Sequence, residues 1–284
     1  MSVETCAPLS LTRAIEDYPI GNIPLKEHQR TVLEATGLSD KLSIHPHAWL
    51  AASDLTQLAD SHLTTLIDDR GNAIAWRGES PDLTGALQAA SSFQIAYPWD
   101  LLKANEQFVA ALSCDQIDGD VHALAVIEGR IRLGKGSRIL PGVFIEGHVI
   151  VGEGCKIGPN CYIRGNTSIG DKCHIGQSVE IKNCLILSKT NVGHLSYVGD
   201  SVLGEKVNFG AGTTTSNLRH DGGNHTSRVD GKMVDTGRRK FGTIVGDGVH
   251  TGINTSIYPG RKLWPKTSTL PGEIVRKDVL KSLF

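Results

Sequence analysis

The chain has 284 residues, is 39% hydrophobic and carries a formal net charge of -1, enough apolar material for a sizeable core in one or two domains. That balance argues against wholesale binding to nucleic acid or a membrane surface, and no apolar run approaches the ~20 residues of a membrane span. Six cysteines without a CxxC pair or secreted spacing, and an opening stretch without a basic-then-apolar leader, lead us to expect a reducing, cytoplasmic setting.

Residues 1–95 read as a small α/β region. A helix is expected near Leu25–Thr36, strands at Ala48–Ala52, Thr64–Ile67 and Ala73–Trp76, and a hairpin turn at Asp68-Asp69-Arg70-Gly71-Asn72. No Gly-rich phosphate loop occurs before residue 120, so no chemistry is assigned there. Tyr97-Pro98-Trp99-Asp100-Leu101-Leu102 opens a helix to about Leu112, giving a linker over 96–114 and a last region over 115–284.

That last region repeats. Stepping by six from Val121 meets Ile127, Leu133, Ile139, Ile145, Val151, Ile157, Ile163, Ile169, Ile175, Ile181 and Leu187, an unbroken aliphatic series. Gly134, Gly152, Gly158, Gly170 and Gly176 follow such stations, and Ser137, Cys155, Cys161, Thr167 and Cys173 sit two places before others. Neither the strand period of two nor the helix period of 3.6 makes a beat of six. Six residues per side and three sides per coil make a triangular prism whose coils stack at about 4.8 Å. The expected class is mainly β: a single-stranded, left-handed parallel β-helix of hexapeptide repeats, with a small α/β amino-terminal region. Such a coil runs against the usual right-handed crossover. The six-beat slips at Val192 and Val198 and again at Leu203 and Phe209, is lost through an inserted loop at 218–241, and resumes at Val245, Thr251, Ile257 and Leu263. A long loop leaving a solenoid is expected to be functional. Cys155 and Cys173, one coil apart, read as buried small side chains rather than ligands or redox thiols.

Several polar groups stand out on this prism. Arg164 and Lys182 are 18 residues apart and belong one above the other on an outer face. They read either as a phosphate cradle or as solvated cations balanced by Glu146, one coil below Arg164. His194, where the beat slips, carries an imidazole that titrates near neutrality and suits a general base, although most histidines are structural. Asn208 and Asn217 flank Gly210-Ala211-Gly212, whose backbone amides suit an oxyanion, or else mark conformational corners. Arg219, Lys232, Arg238, Arg239 and Lys240 give the loop charge for a polyphosphate, or form a solvated face.

Gly193-His194-Leu195-Ser196-Tyr197-Val198-Gly199-Asp200, with Val207-Asn208-Phe209-Gly210-Ala211-Gly212-Thr213, resembles the acetyltransferase domain of the GlmU family. Asn217-Leu218-Arg219-His220-Asp221, Gly237-Arg238-Arg239-Lys240 and Thr251-Gly252-Ile253-Asn254 are more similar to its archaeal-type sugar-1-phosphate nucleotidylyltransferase/amino-sugar acetyltransferase branch. The resemblance covers residues 97–263. It implies acetyl-CoA-dependent N-acetylation of glucosamine 1-phosphate or galactosamine 1-phosphate, without a metal, in a homotrimer whose sites lie between prisms. By the same resemblance His194 is the base and Glu180 orients it. Arg164 and Lys182 hold the sugar phosphate, and Tyr197 and Asn208 hold the sugar. Asn217 sits beside the thioester, and Ala211 near the acetyl-CoA, with Arg238, Arg239 and Lys240 as further cofactor contacts. A serine of bacterial members falls at Ile253, Leu263-Trp264-Pro265-Lys266 lacks the glycine of a regular rung, and the longer tail that clamps the cofactor is missing after Phe284. The Gly-rich motif and metal-binding aspartates of the family's nucleotidyltransferase domain find no counterpart in residues 1–95, which read as a cut-down remnant without uridyltransferase activity. Two alternatives remain open: a sugar-1-phosphate nucleotidylyltransferase, and a non-catalytic trimeric partner that binds sugar nucleotides.

Overall fold

A computed structural model describes residues 5–281. The chain divides into two units: residues 13–19 with 23–96, and residues 1–12, 20–22 and 97–284.

In the smaller unit, helix α1 (Leu25–Thr36) buries Leu25 and Leu33 and stops at Gly37, whose φ of 66° is left-handed. Glycine takes that conformation without the steric cost a Cβ brings. The expected strand at Ala48–Ala52 is only Ala48–Trp49, because α2 (Ala52–Asp60) begins there and buries Leu55 and Leu58 at helical spacing. Ser43–Ile44, Ala73–Trp76, Thr65–Ile67 and Leu87–Gln88 form a four-stranded sheet. The turn joining two of its strands folds as expected: the Asp68 carboxylate accepts from the Arg70 and Asn72 amides, and Gly71 takes a φ of 79°.

The larger unit is the left-handed β-helix. One face is a parallel ladder of six strands, Asp120–Val121, Arg138–Ile139, Lys156–Ile157, His174–Gln177, Asn191–His194 and Asn208–Phe209. The other two faces are joined by strands that run round their common corner, such as Phe144–Val151 and Tyr162–Ile169. Register pairs Ile139 with Ile157, Ile157 with Ile175, and Ile145 with Ile163, each a coil of 18 residues. These aliphatic side chains fill one continuous core down the prism, and Cys155, Cys161, Cys173 and Cys184 lie in it as free, buried thiols. Aliphatics of one size at each corner of a triangle pack without aromatics, which is why so glycine-rich and aromatic-poor a chain has a core at all.

The structure corrects one station of the repeat. Ile186, not Leu187, pairs with Ile169 and enters the core, so the slip occurs one station earlier than the six-count indicates. The cause is a corner. From Arg164 to Ser168 three residues turn it, but from Lys182 to Leu185 only Asn183 and Cys184 do, and from Gly199 to Val202 only Asp200 and Ser201. Asn183 and Asp200 make the tight turn at φ of 54° and 50°, a left-handed conformation that Asn and Asp tolerate better than most residues. In the next coil the same corner emits the insertion. Rather than hanging free, the inserted loop forms an antiparallel hairpin, Thr226–Val229 with Lys232–Asp235, that buries His225, Ser227 and Val229.

Helix α3 (Pro98–Ala110) belongs to this unit and packs along Tyr162–Ile169. Its buried Asn105 accepts from the Ser168 hydroxyl at 2.6 Å. No helix among the described residues is long and apolar enough to cross a membrane.

Candidate functional site

The shortened corner gathers charge. Arg164 and Lys182 are register partners on neighbouring strands, so the two cations do lie one above the other. Each has its own carboxylate. The Arg164 guanidinium donates to Glu180 Oε1 from Nε at 2.8 Å and from Nη2 at 2.7 Å, and stands 5.5 Å from the Tyr162 ring centroid. Lys182 Nζ donates to Asp200 Oδ2 at 2.9 Å. Glu146 is therefore not the balancing anion: although in register with Arg164, it accepts the Tyr162 hydroxyl instead. Glu180, expected to orient the base, has its carboxylate engaged by Arg164.

Asp200 is the hub. Its side chain is 3% exposed, and it also accepts from Asn183 Nδ2 at 3.1 Å and from Asn217 Nδ2 at 2.5 Å. Asn217 Nδ2 further donates to the Tyr197 hydroxyl at 2.9 Å, which draws Tyr197 across the face to the corner. Burial, with Asp200 and Glu180 nearby, pushes the Tyr197 phenol up to about 12. The hydroxyl thus stays protonated at neutral pH and remains able to donate.

The insertion is tied in at this point. Phe241 N donates to Asn217 O, Gly242 N donates to Asp200 O, and the buried His225 ring lies 3.0 Å from Asn217 O. Arg238, expected among free cofactor contacts, is instead bound to Glu106 of α3, which also takes a hydrogen bond from Asn183. The basic loop is thus partly structural. Arg239 and Lys240 remain exposed, and Lys240 pairs by its backbone with Leu218 at the neck of the insertion.

His194, Asn208 and Ala211 make a second group on the six-stranded face. His194 ends its strand opposite Gln177, with an exposed side chain, and its carbonyl accepts from Gly212 N at 3.1 Å. Asn208 is exposed opposite Asn191, and continuing that register sets Ala211 over His194. Ala211 O accepts from Asn254 N at 2.8 Å, so Ile253 follows in the same column. Among the described residues no side-chain hydrogen bond joins the two groups. Only Leu195 and Ser196 separate His194 from Tyr197 around the intervening corner.

Sequence reasoning missed Asp200, Asn183 and Glu106. Asp200 was readable, being a carboxylate 18 residues after Lys182. Glu106 was not, since nothing in spacing says which face a helix will cover.

Residues 145–267 match the family model described as the GMPPB C-terminal domain. A bifunctional sugar-1-phosphate nucleotidylyltransferase/acetyltransferase of Sulfurisphaera tokodaii is 37% identical over 240 residues, 84% of this chain and 55% of that protein. A bifunctional protein GlmU of Methanococcus maripaludis is 46% identical over 190 residues, 67% of this chain and 46% of that one. The chain is GlmU-like. It spans about half the length of these relatives. Among solved structures, a UDP-N-acetylglucosamine acyltransferase from Campylobacter jejuni aligns with a TM-score of 0.34 at 10% identity, over 59% of this GlmU-like chain and 69% of that chain. Among the described residues no group of three or more His, Cys, Asp or Glu side chains is arranged to hold a metal ion.

Proposed function

We propose that this chain transfers an acetyl group from acetyl-CoA to the amine of an amino-sugar 1-phosphate, glucosamine 1-phosphate or galactosamine 1-phosphate, as a homotrimer in the cytoplasm and without a metal. The observation that carries the reading is the stacked Arg164–Lys182 pair, held by carboxylates beside Tyr197 and Asn217. Two cations on adjacent rungs match the separated oxygens of one phosphate, and Arg offers it a fork of donors. Arg164 and Glu180 are each about one-third exposed, so a dianion can displace that carboxylate at little cost.

In this reading His194 is the general base. The amine lone pair attacks the thioester carbonyl carbon, a C–N bond forms, and His194 takes the proton that the nitrogen sheds. Backbone amides near Ala211 and the Asn217 side chain stabilise the tetrahedral oxyanion, an effect of about 3 kcal/mol per donor in comparable sites. Collapse breaks the C–S bond, and the leaving thiolate recovers a proton to become free CoA. Tyr197 and Asn208 bind the sugar. Arg239 and Lys240 are the loop cations left to meet the cofactor phosphates.

In this reading a neighbouring copy completes the site. Thiol release from acetyl-CoA with each amino-sugar 1-phosphate, on the natural protein and on His194→Ala, tests the reading. Equal release from the two proteins would remove His194 from its role. Pyrophosphate release from UTP and a sugar 1-phosphate is expected to be absent, and its detection would restore the nucleotidylyltransferase alternative.

A further inference from the structure

The irregular rung Leu263-Trp264-Pro265-Lys266 borders a cavity of about 700 Å³, a size usual for small-molecule sites. Its walls come from four distant stretches of the larger unit: Ala7 and Leu11; Arg228 of the hairpin with Asp230 at its tip; Arg261, Lys262 and Trp264; and Lys277, Asp278 and Leu280. None of these residues belongs to the site described above.

The unusual member is Lys262. The residue is 2% exposed, yet among the described residues no carboxylate lies within ion-pair distance of its Nζ. Among the described residues its Nζ donates to the Arg228 carbonyl and stands 5.5 Å from the Trp264 ring centroid, while its backbone N donates to Asp278 Oδ1 at 3.0 Å. Burial pulls its pKa below the ordinary lysine value, against the opposing pull of Asp278. An ammonium with one acceptor and an aromatic face leaves two N–H donors unused. Arg228, Arg261 and Lys277 line the same space against Asp230 and Asp278, a surplus of positive charge. Leu11 and Leu280 leave an apolar rim, exposed by 47% and 58%.

We propose that this cavity binds a phosphate monoester carrying a planar, apolar body, with the phosphate on Lys262 and Arg228 and the body against Trp264, Leu11 and Leu280. The anion supplies the counter-charge that the buried ammonium lacks, and the indole supplies a stacking face. This site stands apart from acetyl transfer, so the failure of either leaves the other intact.

Calorimetric titration with phenyl phosphate, alongside inorganic phosphate, tests it. Saturable binding of phenyl phosphate is expected, at least tenfold tighter than inorganic phosphate. Arg228→Ala, at an exposed position of the hairpin strand, and Lys262→Met, which keeps the buried stem, should each weaken it about tenfold or more. Binding should persist in Arg164→Ala; its loss there would assign the heat to the other site and overturn the proposal. So would an absence of saturation by about 10 mM, equal affinity for inorganic phosphate, or indifference to both Arg228→Ala and Lys262→Met. Should Lys262→Met fail to fold, Arg228→Ala and a shift of the Trp264 indole resonance on titration decide the matter.

Discussion

Lys182 and Asp200 are joined across neighbouring coils at 2.9 Å, and the residue whose carboxylate holds the ammonium also turns a shortened corner of the prism. The same side chain therefore shapes the backbone and fixes the charge and amide beside it. Asp200→Ala leaves Lys182 and Asn217 without their acceptor, and a broken buried pair of this kind costs about 3–5 kcal/mol. Denaturant unfolding measures that loss. Asp200→Asn keeps the left-handed turn but not the charge, and should recover part of the stability.

His194 has an exposed side chain, and the hydrogen bonds that its carbonyl accepts, from Gly212 N and the Ser196 hydroxyl, belong to its backbone. His194→Ala should leave the melting temperature unchanged while acetyl transfer falls about 10²–10⁴-fold, the usual worth of a positioned base. A large loss of stability in this variant would mean that the imidazole is structural.

Arg164→Ala removes half of the proposed phosphate clamp and an ion pair that is one-third exposed, so folding should change by less than about 1 kcal/mol. KM for the sugar phosphate should rise about tenfold to a hundredfold, with kcat far less affected. Rising salt should narrow the gap between variant and natural protein, because the ions screen the lost attraction. An unchanged KM would return Arg164 to the role of a solvated cation.

The smaller unit should be sensitive to acid. Burial raises the Asp54 and Asp68 carboxyls. Bonds to Asp54 from Ser92 and from the amides of Ser91, Ser92 and Ala90 bring it below the usual range. Asn72, the Gln94 amide and Arg70 do the same for Asp68. With folded values below unfolded ones, their stabilisation is complete above the unfolded carboxylate pKa and is lost as pH falls through the folded values. Melting temperature should therefore drop as pH falls below about 4, and Asp54→Asn should flatten the slope. At neutral pH that substitution should cost about 1–3 kcal/mol, the penalty for backbone amides that lose a charged acceptor.

Arg238 bridges the insertion to Glu106 of α3. Arg238→Ala should speed amide exchange through residues 218–241 while leaving Ile163 and Ile181 protected, since those lie in the prism core. Uniform exchange across both regions would show that the bridge holds nothing locally.

The beat of six was enough to establish the prism, because an aliphatic at each sixth position can be buried only by a three-sided coil. It also placed Arg164 above Lys182 on the same arithmetic. What the count could not see was the corner at Asn183 and Asp200, where a residue drops out of two successive coils and puts Ile186, in place of Leu187, opposite Ile169 in the prism interior. Nor could it see that Glu180 turns to Arg164, that Arg238 leaves the basic loop for Glu106, or that Lys262 is buried. Burial and pairing of charge are decided by groups that approach from elsewhere in the chain, such as α3 and the hairpin, and a local repeat carries no record of them. Periodicity specifies where a side chain points; only the packed chain specifies what it meets.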